Sequence, residues 1–371
     1  MDQRPRDPGS WLERVWSEGG SGPVTAALSA LSLGYRAGLV ARRHLYGLGL
    51  LRTGRLPCPV VSIGNLTLGG SGKTPMVELA VRTLVALGAA PAVVSRGYRR
   101  DTRGVQVVAD RDGVRLAARA AGDEPVLLAE RLSRIPVVVG ENRYEAARVA
   151  VDRFQATVVV LDDGFQNRTI EKDLEVLVVN GRAPWGTRRI FPRGTLREPL
   201  SAVKRAHLIV ITNPPTVADA EAIELTLRQH RATAPVLSAV YQPVEARRID
   251  DPVPQPPTAL AGRRLLAFAG LGSPRGFPET LAGAGVAVAD FVTFPDHHWY
   301  EAGDLEQLAV RARAVGAEGL VTTEKDWVRL RDLPPPAVPL WVLAVKMSLD
   351  WNREAWVRVL RGVPSASLAE R

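Results

Sequence analysis

The 371-residue chain is 46% apolar and 23% charged, enough to bury a large core and too ordinary for disorder or full membrane residence. Its formal net charge of +9 calls for an anionic partner, but no basic array interleaved with aromatics points to nucleic acid. A single cysteine, Cys58, excludes an intrachain disulfide, argues against a zinc cluster and suits a reducing cytosol. The opening Met1 to Asp7 has no apolar signal core, so export is not expected.

From Val24 to Leu51 leucines recur at helical spacing, while Arg36, Arg42 and Arg43 break any uniformly apolar span. A transmembrane helix needs about 20 predominantly apolar residues, so this stretch reads as one or two amphipathic helices. Such helices lie in a membrane interface or pack on the protein's own core, and the pattern leaves both open. Val60 to Pro75 follows, with a β-branched run, a glycine-rich turn and Gly72-Lys73-Thr74 at the head of an amphipathic helix. This is a phosphate-binding loop in its strand–loop–helix setting. Gly69, Gly70, Ser71 and Gly72 let backbone N–H groups close around phosphate oxygens, Lys73 reaches the β- and γ-phosphates, and the Thr74 hydroxyl can ligate Mg²⁺. Thr67 stands where the usual first glycine falls, and Pro75 fits a first helical turn.

Short apolar runs then alternate with helical stretches. Pro91–Ser95, Ile135–Val139, Ala156–Leu161, Leu174–Val179 and His207–Ile211 read as strands buried on both faces, with helices over Met76–Leu87 and Asn142–Asp152. Asp250 to Pro257 is proline-rich and reads as a linker or exposed loop. Strands are expected again at Leu265–Ala269, Val286–Val288, Gly319–Thr322 and Leu340–Ala344, and the last ten residues as a frayed tail. The predicted fold is α/β of the P-loop NTPase type, a largely parallel sheet flanked by helices, with a second, smaller α/β domain. The expected division is 1–55 for the membrane-facing helices, 56–232 for the nucleotide core and 233–371 for the smaller domain.

Other residue patterns point to chemistry. Asp162 and Asp163 end an apolar strand, on the sheet edge that also carries the nucleotide loop, and can hold Mg²⁺ there; a plain Asp-Asp-Gly turn is the alternative. Asp123, in Gly122-Asp123-Glu124-Pro125, is a general base or the cap of a helix through Val126–Leu132. His297 and His298 are adjacent, so at most one is expected to line a cleft. Arg193 and Arg197 sit in a loop where guanidinium groups can clamp phosphate or pair with surface carboxylates.

Taken together the motifs resemble the tetraacyldisaccharide 4′-kinase family of lipid A synthesis, from about Val24 to past Leu330. Those carrying the resemblance are Ser62-Ile63-Gly64-Asn65 through Gly72-Lys73-Thr74-Pro75, Ser95-Arg96-Gly97-Tyr98, Gly122-Asp123-Glu124-Pro125, Asp162-Asp163-Gly164-Phe165-Gln166, Leu196-Arg197-Glu198-Pro199, Asp296-His297-His298 and Thr323-Glu324-Lys325-Asp326. In this family Thr67 is the usual replacement for the first loop glycine. The resemblance implies a peripheral enzyme on the cytoplasmic face of the inner membrane. It would move the γ-phosphate of ATP, with Mg²⁺, onto the 4′-hydroxyl of a tetraacylated glucosamine disaccharide 1-phosphate. No nucleic acid or obligate protein partner is implied. It carries over Lys73 and Thr74 as phosphate and metal residues, Asp162 and Asp163 as metal support, Asp123 as catalytic base and His297 as the residue that tunes it. Arg143 and Arg197 match arginines near phosphates or sugar, and Arg96, Tyr98 and Gln166 match substrate positions. Asn167 replaces a usual His, Pro192-Arg193-Gly194-Thr195 replaces Pro-Ala-Gly-Pro, and Trp327 replaces a small residue; these bear on sugar or acyl recognition. The competing class is a membrane-associated ATPase switch acting through partner binding.

Overall fold

The computed structural model describes Trp16 and residues 22–350 and 352–363, so most of the expected tail and nearly all of residues 1–21 lie outside the described residues. In chain order the elements are α1 (Pro23–Gly47), β1 (Val60–Gly64), α2 (Lys73–Ala86), β2 (Pro91–Ser95), β3 (Gln106–Asp110), β4 (Gly113–Val114), α3 (Ala118–Ala121), α4 (Asp123–Arg131), β5 (Val137–Val139), α5 (Arg143–Phe154), β6 (Val158–Asp162), β7 (Leu174–Asn180) and β8 (Leu208–Thr212). There follow α6 (Val217–Gln229), β9 (Val236–Arg248), β10 (Asp251–Gln255), β11 (Arg264–Ala269), α7 (Gly276–Gly283), β12 (Ala287–Thr293), α8 (Ala302–Ala314), β13 (Gly319–Thr323), α9 (Glu324–Leu330), β14 (Leu340–Leu349) and α10 (Arg353–Arg361).

The strands form one mixed, mostly parallel sheet in the order β12-β11-β13-β14-β9-β8-β7-β1-β6-β2-β5-β3-β4, with β10 paired to β9. The central strands β1, β2, β6 and β8 are buried at every position, as β-branched runs without alternation demand when helices cover both faces. On one face α2, α4 and α10 pack over Val61, Val93, Val160 and Val176, with Trp356 of α10 donating its indole N–H to the Thr83 hydroxyl at 2.9 Å. On the other, α5 covers Val60, Val94 and Val159, and α6 covers Ile209 and Ile211.

Several expectations need correction. The proline-rich stretch is not a linker. Asp251–Gln255 forms the antiparallel strand β10, on the outside of β9, where prolines cost no ladder bond. β9 itself was not expected, because Pro243 and the charged run Glu245–Arg248 break its apolar pattern; at 13 residues it pairs parallel with β8 at one end and antiparallel with β14 along the rest. The β3–β4 hairpin at the far edge was not expected either. The segment Val24–Leu51 resolves to one 25-residue helix, and Leu28 is the only residue of it that is buried. The alternative of a helix packed on its own core is therefore not what forms.

Candidate active site

Parallel strands gather their C-terminal ends on one edge, and here that edge brings together Gly64, Ser95, Asp162, Asn180 and Thr212. The glycine-rich loop leaves β1 at this edge and enters α2. Its carbonyls are tied down by strand-end side chains: Asn180 donates to the Gly70 carbonyl and Thr212 to that of Ser71, each at 2.9 Å. Asn65 donates to the Thr67 carbonyl at 2.8 Å, and Thr67 forms a bridge with Leu196. Gly72 caps α2 with φ +82°, and a Cβ there would come within 3.0 Å of Met347 and the Tyr241 hydroxyl, so only glycine fits.

Lys73 points into this edge, 3.3 Å from Asn65 Oδ1 and 3.6 Å from Asp163 Oδ1. The other Asp163 oxygen accepts from Arg197 Nη1 at 2.6 Å. Burial opposes ionisation of Asp163, but Lys73 and Arg197 together hold its carboxyl well below the ordinary range. Asp162 is the reverse case. Fully buried and accepting one hydrogen bond from the Ser95 hydroxyl at 3.0 Å, it is pushed up to about 7 by burial first, then by the carboxylates of Glu124 and Asp163. Oδ1 of both aspartates is buried without a hydrogen-bond partner. Two carboxylate oxygens without a hydrogen-bond partner, in the cleft that Thr74 also lines, suit a hard divalent cation. No group of three His, Cys, Asp or Glu among the described residues could hold a metal alone, and Mg²⁺ normally completes its sphere with phosphates and water.

Asp123 and His297 are 174 residues apart and meet across the same cleft. His297 Nδ1 lies 2.9 and 3.0 Å from the two Asp123 oxygens. Asp123 is 4% exposed. Burial opposes its charge, but the His297 hydrogen bond and the charges of Lys325, His297 and Arg329 outweigh it, so the carboxyl stays well below the usual range. The helix-cap reading of Asp123 does not hold, because α4 starts on Asp123 itself with Gly122 as its cap. His297 has φ +60°, a left-handed conformation rare outside glycine and Asn, held here by its partners. His298 turns away to Asp304, 2.9 Å from Nε2; the separation comes from the turn at His297, not from an extended segment.

All of this faces a cleft of about 970 Å³, which runs from Tyr35 and Phe191 past the glycine-rich loop to His297 and Lys325. Arg96, Tyr98, Gln166 and Arg197 line it, with Tyr98 edge-on to the His297 ring at 5.3 Å. Gln166 donates to the Asn65 carbonyl at 2.9 Å. Thr67 and Arg143 are set back from the cleft wall. Arg143 donates to the carbonyls of Gly140 and Glu141, and burial followed by the nearby Arg96 lowers its pKa. Asn167, the replacement for the usual His, accepts from Thr169 N–H and hydroxyl at 3.1 and 3.0 Å and so braces a turn. Trp327 lies under the guanidinium of Arg247. Sequence reasoning gave no role to Asn65, Ser95, Asn180, Thr212, Asp296 or Lys325. For Asn180 and Thr212 the usable signal was a polar residue at a parallel strand's C-terminal end.

A solved structure of LpxK from Aquifex aeolicus, an "apo" form in complex with ATP, is similar to this chain. Its TM-score is 0.71 with 29% identity, and the match covers 92% of this chain and 99% of that one. Fold and cleft together define an ATP-binding α/β phosphotransferase. The family model for tetraacyldisaccharide-1-P 4′-kinase matches residues 24–363. The tetraacyldisaccharide 4′-kinase of Syntrophus aciditrophicus is 37% identical over 90% of this chain and 93% of its own length. That of Geobacter metallireducens is 40% identical over 88% of this chain and 94% of its own. The chain belongs to the tetraacyldisaccharide 4′-kinase family and is a kinase of lipid A biosynthesis.

Proposed function

We propose that this enzyme transfers the γ-phosphate of ATP to the 4′-hydroxyl of a tetraacylated glucosamine disaccharide 1-phosphate, giving the 1,4′-bisphosphate and ADP. Phosphoryl transfer is chiefly a matter of positioning and charge neutralisation. Lys73 and the N–H groups from Gly69 to Gly72 bind the β- and γ-phosphates, where Lys73 exchanges its contact with Asp163 for phosphate oxygens. Thr74, Asp162 and Asp163 would hold Mg²⁺, which supplies positive charge to the transferring group when bound. Arg197 sits where it can neutralise that charge and steady Asp163. Arg143 acts from behind the carboxylates, and Arg96, Tyr98 and Gln166 receive the sugar.

The observation that carries the reading is the Asp123–His297 contact in the same cleft as Lys73. Asp123 takes the proton of the 4′-hydroxyl as the new O–P bond forms and the bridging bond to ADP breaks. His297 orients that carboxylate through Nδ1. Two units, meeting near residue 232 and joined by β9 and β14, would close on the substrates. Acyl chains suit the exposed apolar side of α1, where Leu31 and Leu33 are 60% and 68% exposed. α1 is also long and apolar enough to cross a membrane by length and composition, with a mean hydropathy of 1.3. Its arginines favour a peripheral position on the cytoplasmic face of the inner membrane.

The test is incubation with γ-labelled ATP and the tetraacyl disaccharide. Label is expected in the lipid, with ADP formed in proportion to added lipid. ATP hydrolysis that leaves the lipid unlabelled would point instead to a nucleotide-switched partner-binding protein.

A further inference from the structure

Lys325 sits between two polar dipeptides that the fold brings face to face, one acidic and one pairing an aspartate with a histidine. Asp123-Glu124 opens α4, and Asp296-His297 follows β12. The inner members, Asp123 and His297, contact one another directly. The outer members, Glu124 and Asp296, share a single ammonium: Lys325 Nζ lies 3.0 Å from Glu124 Oε1 and 3.3 Å from Asp296 Oδ1. Asp296 closes the ring, its Oδ2 standing 3.8 Å from His297 Nε2. The Lys325 side chain is only 17% exposed. A lysine this enclosed loses hydration and much side-chain freedom, which is tolerable only with paired counter-charges.

Its surroundings account for each charge. Arg131 pairs with Glu324 and with Glu78. Arg329, fully buried, pairs with Asp326 and reaches Asp123 Oδ2 at 3.6 Å. Arg99 donates to the backbone carbonyls of Asp296 and His297, and Tyr98 lies edge-on to His297. Tyr241 is buried nearby and stays neutral, its phenol pushed up to about 12 by burial. Lys325 is thus the cation that Glu124 and Asp296 share. Without it, Glu124 and Asp296 would lose their common counter-charge beside the Asp123–His297 pair, with Arg329 already shared with Asp326.

We propose that Lys325 is a positioning residue for phosphoryl transfer: by clasping Glu124 and Asp296 it sets the spacing and the charge of the Asp123–His297 pair. The proposal rests on the reading of that pair as the proton-accepting group. Lys325 does not itself need to touch the nucleotide or the acceptor. Its positive field keeps Asp123 ionised and receptive, and its two-sided contact keeps the imidazole beside the carboxylate.

The test compares wild type with K325M, K325R and E124Q, measuring kcat, KM and the ATP dissociation constant, with melting temperature as the fold check. Wild-type labelling of the disaccharide from γ-labelled ATP is the control for the activity itself. If it is absent, the functional reading fails whatever Lys325 does. With that control in place, K325M is expected to lower kcat at least about tenfold while ATP affinity changes less than about twofold, a loss confined to the transition state. K325R keeps the cation and should recover most of that loss, a rescue that lost packing alone would not give. E124Q removes one arm of the clasp and should lower kcat by a smaller factor, again with ATP affinity within about twofold. A K325M kcat within about twofold of wild type overturns the proposal. So does a K325M defect confined to ATP affinity, which would make Lys325 a nucleotide ligand. If K325M does not fold, E124Q alone decides: a lowered kcat with unchanged ATP affinity supports the clasp, and a wild-type kcat rejects it.

Discussion

Two aspartates at neighbouring positions on a strand end behave oppositely because of what faces them. Asp163 meets Lys73 and Arg197 and is held ionised, whereas Asp162 meets mainly other carboxylates and a serine hydroxyl and is pushed up to about 7. A residue's type therefore says less about its charge than its nearest partners do. Asp123 shows the same rule: buried, yet held ionised by His297, Lys325 and Arg329. Removing its carboxylate in D123A is expected to lower kcat by about 10²- to 10⁴-fold, the usual contribution of a general base. ATP affinity should stay within about twofold, since Asp123 makes no contact with the glycine-rich loop. Near wild-type turnover in D123A would refute the base assignment.

Among the elements, α1 is the least attached to the rest of the protein. It meets the body chiefly through polar contacts with the loop around residues 190–197: Ser32 donates to the Ile190 carbonyl at 3.0 Å, and Tyr35 to that of Arg197 at 3.1 Å. Tyr35 also stacks edge-on against Phe191 at 5.6 Å. The same loop carries the guanidinium that holds Asp163, so the apolar helix and the phosphate edge are two contacts apart. A helix that buries so little apolar surface gains little from packing on its own protein. Deleting residues 1–51 should abolish binding to vesicles of mixed anionic phospholipid in a sedimentation assay. Unchanged binding would remove the membrane role from this segment.

At the scale of the molecule, opposed charges line the seam between α4 and α9. Glu124 meets Lys325, Arg131 meets Glu324, and Glu130 meets Arg331. Across the cleft Arg182 pairs with Glu279, and Gly272 approaches so closely that a Cβ there would stand 2.5 Å from the Gly70 nitrogen. The outer pairs are partly exposed and are each worth roughly 0–1 kcal/mol, so closure of the proposed units is sensitive to screening. Raising ionic strength from about 0.01 to about 1 M shortens the Debye length from about 30 to about 3 Å. The radius of gyration of the ATP-bound enzyme, measured by small-angle scattering, should grow across that range. A constant value would mean that the seam is not held by charge.

Local pattern sufficed for much of this protein. Unbroken β-branched runs marked β1, β2, β6, β7 and β8, because strands covered on both faces have no polar side to show. The glycine-rich turn before Lys73 marked the nucleotide loop, because close backbone approach to phosphate needs residues without a Cβ. Asp162 and Asp163 were legible from their place at a strand end. Only the tertiary structure decided the rest. Pro243 and a charged run hid β9, whose pairing on both sides overrides its weak local pattern, and neighbouring backbone turned a proline-rich stretch into an edge strand. Nothing local distinguished His297 from His298, or gave Lys325 a task. Their places in the cleft come from contacts between segments some 170 to 200 residues apart, in low-dielectric surroundings that make such charges matter.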